Sequence, residues 1–238
     1  MLISLKKLVK LLRYPHLVQI ALKHRVLAGV EHRPVLNLTL QTIVDIGANR
    51  GQFALAAREF SGAHVYSFEP LPHIAEIYKK VFENDSAVKL FVSAIGPESK
   101  NQEIHISARD DSSSLLEIGK SQSELFPGTY EIGTMEIHVG RLTDFIKKND
   151  IIGPALLKLD VQGFELSALK GCQDLLFSFQ YIYCECSFVE LYKNQSLAYE
   201  IFDFLNGYGY KISGVYNPFY NREGKCIQAD FLLKNVKM

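Results

Sequence analysis

The segment Asp45-Ile-Gly47-Ala-Asn49-Arg-Gly51 ends an apolar run in two glycines and an asparagine at a strand-to-helix turn. Glycine lets the backbone adopt positive φ and approach a ligand closely, and asparagine tolerates left-handed geometry better than most residues. The pattern is neither a P-loop, since no GK[ST] follows, nor the dinucleotide GxGxxG, so it suits a ligand without phosphate. Glu69, 18 residues beyond Gly51, stands where such folds accept hydrogen bonds from a ribose diol. The third group is Lys158-Leu-Asp160-Val-Gln162-Gly163-Phe-Glu165, in which strand alternation puts Lys158 and Asp160 on one face. A carboxylate at that strand end can serve an attacking hydroxyl as base or as orienting acceptor. Asp160 is the first candidate for that role, and Glu185, ending a later strand, is the second. Two carboxylates facing one cavity also suit a divalent cation, but no third ligand is evident and no metal is predicted.

These residues need elements to hold them. From Thr42 onward, short β-branched runs alternate with helical patterns, which predicts a mainly parallel sheet covered by helices. Strands are expected at Thr42–Gly47, His64–Glu69, Val88–Ile95, Ala155–Asp160 and Tyr181–Glu185, with a late hairpin of Tyr210–Val215 and Ile227–Leu233 around a turn at Asn221–Gly224. Helices are expected at Arg50–Phe60, from Pro72 to about Asn84, at Arg141–Lys148, at Glu165–Phe177 and near Ser196–Asn206. Residues 97–140 break the alternation: two alternating runs, Gln102–Ser107 and Thr134–Val139, flank a serine-rich stretch, Arg109–Ser114. They predict an inserted hairpin with a mobile loop, whose His105 and His138 are candidates for substrate contact. In an open α/β sheet, ligands bind beyond the carboxyl ends of the strands, which is where the candidates fall.

Taken together and in this order, VDIGANRGQF, SFEP, SAIG, DSSSL, KLDVQGFE, the Glu of YCE and a late GY resemble the FkbM-type S-adenosylmethionine-dependent methyltransferases over residues 42–215. The resemblance implies a Rossmann-like class I methyltransferase fold of the α/β class: a seven-stranded, mostly parallel sheet of order 3-2-1-4-5-7-6 with strand 7 antiparallel. It also implies methyl transfer, usually to oxygen and often on sugars or other natural-product hydroxyls. By its motifs, Asp45 lies near the methionine end of the cofactor, and Gly47, Asn49 and Gly51 form the loop with Phe53 nearby. Glu69, with Pro70 behind it, takes the ribose hydroxyls, while Ser93 and Ala94 flank the adenine. Asp160, Glu185 and Lys158 face the methyl acceptor. Ser113 and Ser114 match a serine pair that is expected to close over the cofactor or contact a hydroxylated substrate. Gln162 departs from the family, many members of which carry Glu there, so a role needing negative charge is not expected of it.

Composition bounds the alternatives. The 238 residues are 47% hydrophobic and 22% charged, which excludes a disordered, collagenous or disulfide-stapled chain. With 26 basic and 26 acidic residues and no Trp there is no obvious platform for nucleic acid, so the expected partner is a small-molecule or glycan acceptor. Cys172, Cys184, Cys186 and Cys226 lack CxxC spacing and read as small buried hydrophobes in a reducing compartment. The charge is uneven: residues 1–33 hold seven Lys/Arg and only one acid, Glu31. Residues 1–40 read as a basic, amphipathic helical segment preceding a methyltransferase domain at 41–238. Leu5, Leu8, Val9 and Leu12 share one helical face, Lys6, Lys10 and Arg13 another, and after Pro15 the apolar pattern resumes at Leu17, Ile20, Ala21 and Leu27. Such a helix suits either peripheral contact with an anionic membrane through residues 1–30 or packing on the core with its cations in water. Its apolar run, broken by Lys6, Lys7, Lys10 and Arg13, lacks the core of a signal peptide, which predicts a cytoplasmic protein. The competing readings are a non-catalytic nucleoside-binding module and an NAD-dependent oxidoreductase; GANRG in place of GxGxxG argues against the latter.

Overall fold

The computed structural model describes residues 11–237. Helix α1 (Pro15–His24) opens the described chain, starting on a proline whose fixed φ suits a first helical turn. Strand β1 (Thr42–Ile46), helix α2 (Gln52–Phe60), strand β2 (His64–Phe68), helix α3 (Pro72–Val81) and strand β3 (Val88–Phe91) then alternate as expected. A two-residue strand β4 (Ala94–Ile95) leads to the inserted hairpin, β5 (Lys100–Ser107) and β6 (Glu131–Gly140). The second half comprises β7 (Ala155–Leu159), α4 (Glu165–Gly171), β8 (Tyr181–Ser187), α5 (Ala198–Gly207), β9 (Tyr210–Tyr220) and β10 (Cys226–Asn235).

The main sheet has seven strands in the order β3-β2-β1-β7-β8-β10-β9. β10 runs antiparallel to β8 and to β9, and the other neighbours are parallel. This is the order the resemblance implied. The strand order reverses between β1 and β7, so their carboxyl ends open a crevice there. β1 and β7 are buried along their whole lengths, as strands covered on both faces must be. Alternation sorts their side chains: Val44, Ile46, Leu157 and Leu159 enter a core under α4 and α5, whereas Ile43 and Leu156 enter the opposite one.

That opposite core is completed by the N-terminal segment. Leu11, Leu17, Val26, Ala28, Val30, Val35, Leu36 and Leu40 are buried there, while Arg13, Lys23, Arg25 and Arg33 stay exposed. From Leu11 onward, then, most apolar residues cover the sheet and the cations face water, but Leu12, expected on the apolar face, is exposed, as is Leu22. Leu5, Leu8, Val9, Lys6, Lys7 and Lys10, on which the amphipathic reading of the start rests, lie outside the described residues. No helix among the described residues is long and apolar enough to cross a membrane.

Three elements differ from the expectation. The third strand does not run through Ile95: it stops at Phe91, and Ala94–Ile95 pairs with β6 in a small sheet of order β4-β6-β5. Ser93 makes the break, its Oγ lying 2.9 Å from His138 Nδ1 and 3.1 Å from the His138 carbonyl, which ties the chain to β6. The helix expected at 141–148 is two single 3₁₀ turns, Leu142–Asp144 and Lys148–Asp150, each closed by an aspartate accepting the backbone N–H three residues before it. The helix expected through Phe177 tightens after Gly171 into a 3₁₀ stretch, Gln173–Ser178, which buries Leu175 and Leu176. Cys172, Cys184 and Cys186 are buried free thiols and Cys226 is half-buried.

Candidate active site

A cavity of about 310 Å³ lies over the carboxyl ends of β1, β2 and β7. Its floor is the turn after β1, where the Gly47 and Ala48 N–H groups both donate to the Phe68 carbonyl. Gly47 has φ +80°, and a Cβ placed there would stand 1.8 Å from the Asp160 carbonyl oxygen. The two strand-end loops therefore meet only because this residue has no side chain. Gly47→Ala is expected to destabilise the fold by at least ~2 kcal/mol, seen as a melting temperature lower by more than ~4 °C. A variant melting with the wild type would show that the loops are not locked together. Asn49 also takes the left-handed region, with φ +46°.

Glu69 ends β2 beside this turn. Its Oε2 accepts the Asn49 N–H and its Oε1 the Leu71 N–H, both at 2.9 Å, while the residue lines the cavity at 5% exposure. Burial pushes its carboxyl up to about 7, and the two backbone donors only partly oppose that. Phe53, Pro70 and Ala94 line the same cavity.

The loop after β7 forms the facing wall. Asp160 is 41% exposed, with its Oδ1 accepting from Gln162 Nε2 at 2.8 Å and its Oδ2 4.0 Å from Lys158 Nζ. Gln162, at φ +55°, also holds its Nε2 3.3 Å from Glu185 Oε2 and its Oε1 2.8 Å from the Tyr192 hydroxyl. Glu165 shapes this loop: its Oε1 accepts the Val161 and Gly163 N–H groups, and burial raises its carboxyl to about 7. The serine-rich loop roofs the cavity. Ser114 Oγ donates to the Gln162 carbonyl at 2.7 Å, and Ser113 Oγ accepts the Ser107 N–H at 3.1 Å. Asn49 Nδ2 donates to the Asp110 carbonyl, and Arg50 pairs with the Asp110 carboxylate. The roof is thus bonded to both strand-end loops.

Some candidates stand off the cavity wall. Asp45 is fully buried beneath the floor, opposite Lys158 in the register of β1 and β7, with Lys158 Nζ 2.9 Å from its Oδ1. Lys158 lines the cavity yet is only 6% exposed, donates to the Gly47 carbonyl and lies under the Phe53 ring. Burial works against its ammonium, but Asp45 and then Asp160 outweigh it and hold the pKa above the ordinary lysine value. Gly51 faces Tyr78 and Phe82 rather than the cavity. Ser93 is buried against His138, and His105 Nδ1 is bonded to Glu131, so neither histidine of the hairpin lines the cavity. Glu185 lies behind Gln162 and accepts from Gln228 Nε2 at 2.7 Å; burial, then Asp160 and Asp230, push it well above the carboxylate range.

Two wall residues carry no local signal. Glu31 and His32, on the 3₁₀ turn Val30–His32, reach the cavity from the N-terminal segment. Only the packing of His32 beside Phe53 and Tyr183 shows it.

Comparison with known proteins finds similarity to methyltransferases. Over 217 residues the chain is 25% identical to the 2-O-methyltransferase NoeI of Sinorhizobium fredii (strain NBRC 101917 / NGR234), covering 87% of this chain and 86% of that protein. It is 26% identical over 148 residues to Methyltransferase 1 of Beauveria bassiana (strain ARSEF 2860), 56% of this chain and 58% of the other. Among solved structures, an rRNA methylase from Streptococcus thermophilus superposes with a TM-score of 0.48 at 10% identity, over 85% of this chain and 93% of that one. Residues 45–212, which carry Gly47, Glu69, Asp160 and the roof loop, match the methyltransferase FkbM domain. The chain therefore belongs to the FkbM family of S-adenosylmethionine-dependent methyltransferases.

Proposed function

We propose that this methyltransferase moves the methyl group of S-adenosylmethionine onto a hydroxyl of a sugar or glycan. The observation that carries the reading is a single cavity with Glu69 on one wall and Asp160 on the other. The residues fit the cofactor: Glu69 spends one lone pair per oxygen on the backbone and keeps the rest for a ribose diol. The acidic walls suit a sulfonium cation. Gly47, Asn49 and Gly51 shape the loop that receives it, with Phe53, Pro70 and Ala94 against it, while Asp45 acts from below through Lys158 and Ser93 by fixing the strand break beside Ala94. Bound S-adenosylmethionine supplies an electrophilic methyl and a neutral thioether leaving group.

The protein's own contribution is positioning. Asp160 anchors the acceptor through one of its hydroxyls, and the Gln162 amide keeps that carboxylate oriented while linking it to Glu185. Lys158, held as a cation, is a structural partner of the loop rather than a proton carrier. Ser113 and Ser114 hold the roof. The relative named as a 2-O-methyltransferase supports transfer to oxygen.

Isothermal calorimetry with S-adenosylmethionine, S-adenosylhomocysteine and NAD tests the cofactor. Methyl transfer to a panel of hexosides and deoxyhexosides tests the acceptor class. Binding of the two sulfur nucleosides and not of NAD is expected. Asp160→Ala should lose about 10–10²-fold in kcat/KM for the acceptor, the worth of one charge-assisted hydrogen bond. Binding of NAD alone would overturn the reading, as would transfer that ignores the loss of Asp160.

A further inference from the structure

We infer that His32 is a catalytic residue of this reaction: its Nε2 takes the proton that the acceptor hydroxyl loses, while Tyr183 and Asp230 hold its ring. The inference rests on the hydroxyl-methylating function proposed above and adds the base that such a reaction needs.

The geometry starts from β8 and β10. Tyr183 and Asp230 lie on neighbouring antiparallel strands, and the Tyr183 hydroxyl donates to Asp230 Oδ2 at 2.8 Å. Asn217 Nδ2, from β9, donates to the same oxygen at 2.7 Å. His32 Nδ1 stands 3.0 Å from the Tyr183 oxygen. A phenol has one proton, and here it goes to the carboxylate, so the oxygen accepts from Nδ1–H. That fixes the tautomer and leaves the lone pair on Nε2. Among the described residues Nε2 makes no hydrogen bond, and the side chain keeps 21% exposure on the cavity wall. Phe53 and Tyr183 pack edge-on against the ring, with centroids 5.2 and 5.6 Å away, so it has little room to turn.

The electrostatics suit a base. Burial lowers the imidazole pKa below its ordinary value, so the ring is neutral at pH 7. The charged groups facing it act on the other form. Asp230 from β10 and Glu31 from the same turn favour the imidazolium, Lys158 from β7 opposes it, and Asp160 favours it. Asp230 Oδ2 lies 3.8 Å from Nδ1 and Glu31 Oε1 lies 3.9 Å from Nε2, placed to stabilise the ring once it has taken the proton. In the balanced step the acceptor oxygen bonds to the methyl carbon as the carbon–sulfur bond breaks. The electron pair leaves on sulfur, the hydroxyl proton passes to Nε2, and solvent at the cavity mouth later removes it. Asp160 is free to anchor a neighbouring hydroxyl, which a sugar supplies.

Histidine-selective ¹⁵N NMR of the free wild-type enzyme reads the tautomer without any acceptor; an Nδ1–H form of His32 is expected, and an Nε2–H form would overturn the inference. With a hexoside acceptor from the panel, His32→Gln should lower kcat by about 10²–10⁴-fold and remove the acid limb of the pH profile. Its affinity for S-adenosylhomocysteine should stay within about threefold of wild type. Asp230→Asn withdraws a carboxylate that favours the imidazolium, so the acid limb should move to lower pH, a shift that a purely structural role would not produce. Unchanged kcat in His32→Gln, or loss of S-adenosylhomocysteine binding with it, would overturn the assignment. Failure of the wild type itself to bind the sulfur nucleosides would instead strike the proposed function.

Discussion

Lys158→Met is expected to lower the unfolding free energy by about 3–5 kcal/mol, because it strands a carboxylate in the middle of the sheet. Asp45 is fully buried, its Oδ2 has no hydrogen-bond partner among the described residues, and Lys158 Nζ is the cation 2.9 Å from its Oδ1. Methionine keeps the volume of the lysine stem but supplies no charge and no donor for the Gly47 carbonyl, which now receives Nζ at 2.8 Å. For a chain of 238 residues this corresponds to a melting temperature lower by roughly 6–20 °C. The double variant Asp45→Asn with Lys158→Met removes both charges and should recover most of the loss, since neutralising a buried pair costs far less than breaking it. Thermal unfolding of the four proteins in the cycle checks this. A single variant as stable as wild type, or a double variant no better than the single one, would show that the pair does not hold the floor of the cavity.

The second large effect concerns cofactor binding. Glu69→Gln should weaken S-adenosylmethionine binding by about 10²-fold, the value of two charge-assisted hydrogen bonds to the ribose at about 1.5 kcal/mol each. The pH dependence gives a sharper signature. In the free enzyme the Glu69 carboxyl is pushed up to about 7 by burial, against the Leu71 and Asn49 N–H groups. Ribose hydroxyls donate to the ionised form, so the bound-state pKa is lower than the free one. Above about pH 7 the carboxylate is already ionised and affinity should be level. Below it a proton must leave before the ligand is held, so affinity should fall toward tenfold per pH unit. Calorimetry between pH 5.5 and 8.5, in buffers of different ionisation enthalpy, reads both the slope and the released proton. The slope should vanish in Glu69→Gln; the same slope in that variant would place the titrating group elsewhere.

The parts of the site that were legible are those whose signal is local. Gly47, Asn49 and Glu69 end strands whose apolar runs announce them, and the bends they require are written in residue type. The family resemblance carried by VDIGAN, FEP and KLDVQG then implied the sheet order that the structure has. The third strand shows where local pattern stops. VKLFVSAI reads as one β-prone run, yet Ser93 meets His138 from 45 residues away and turns Ala94–Ile95 into the other sheet. The N-terminal segment shows the same limit: its charge pattern suits a membrane surface as well as a core, and only the tertiary structure puts Leu17, Val35 and Leu36 in one core with Ile43 and Leu156.

By itself, the amino-acid order determined which stretches extend, which coil, and that glycines and acids would crowd one end of a parallel sheet. Periodicity and turn chemistry act within a few residues, so they need no knowledge of the rest of the chain. The tertiary structure alone decided that Asp45 faces Lys158 across a strand pair and lies beneath the cavity rather than in it. It alone brought His32 to Tyr183 and Asp230, residues drawn from three distant parts of the chain. Such pairings arise from how whole elements pack, and each polar group is satisfied by whichever partner that packing brings within about 3 Å.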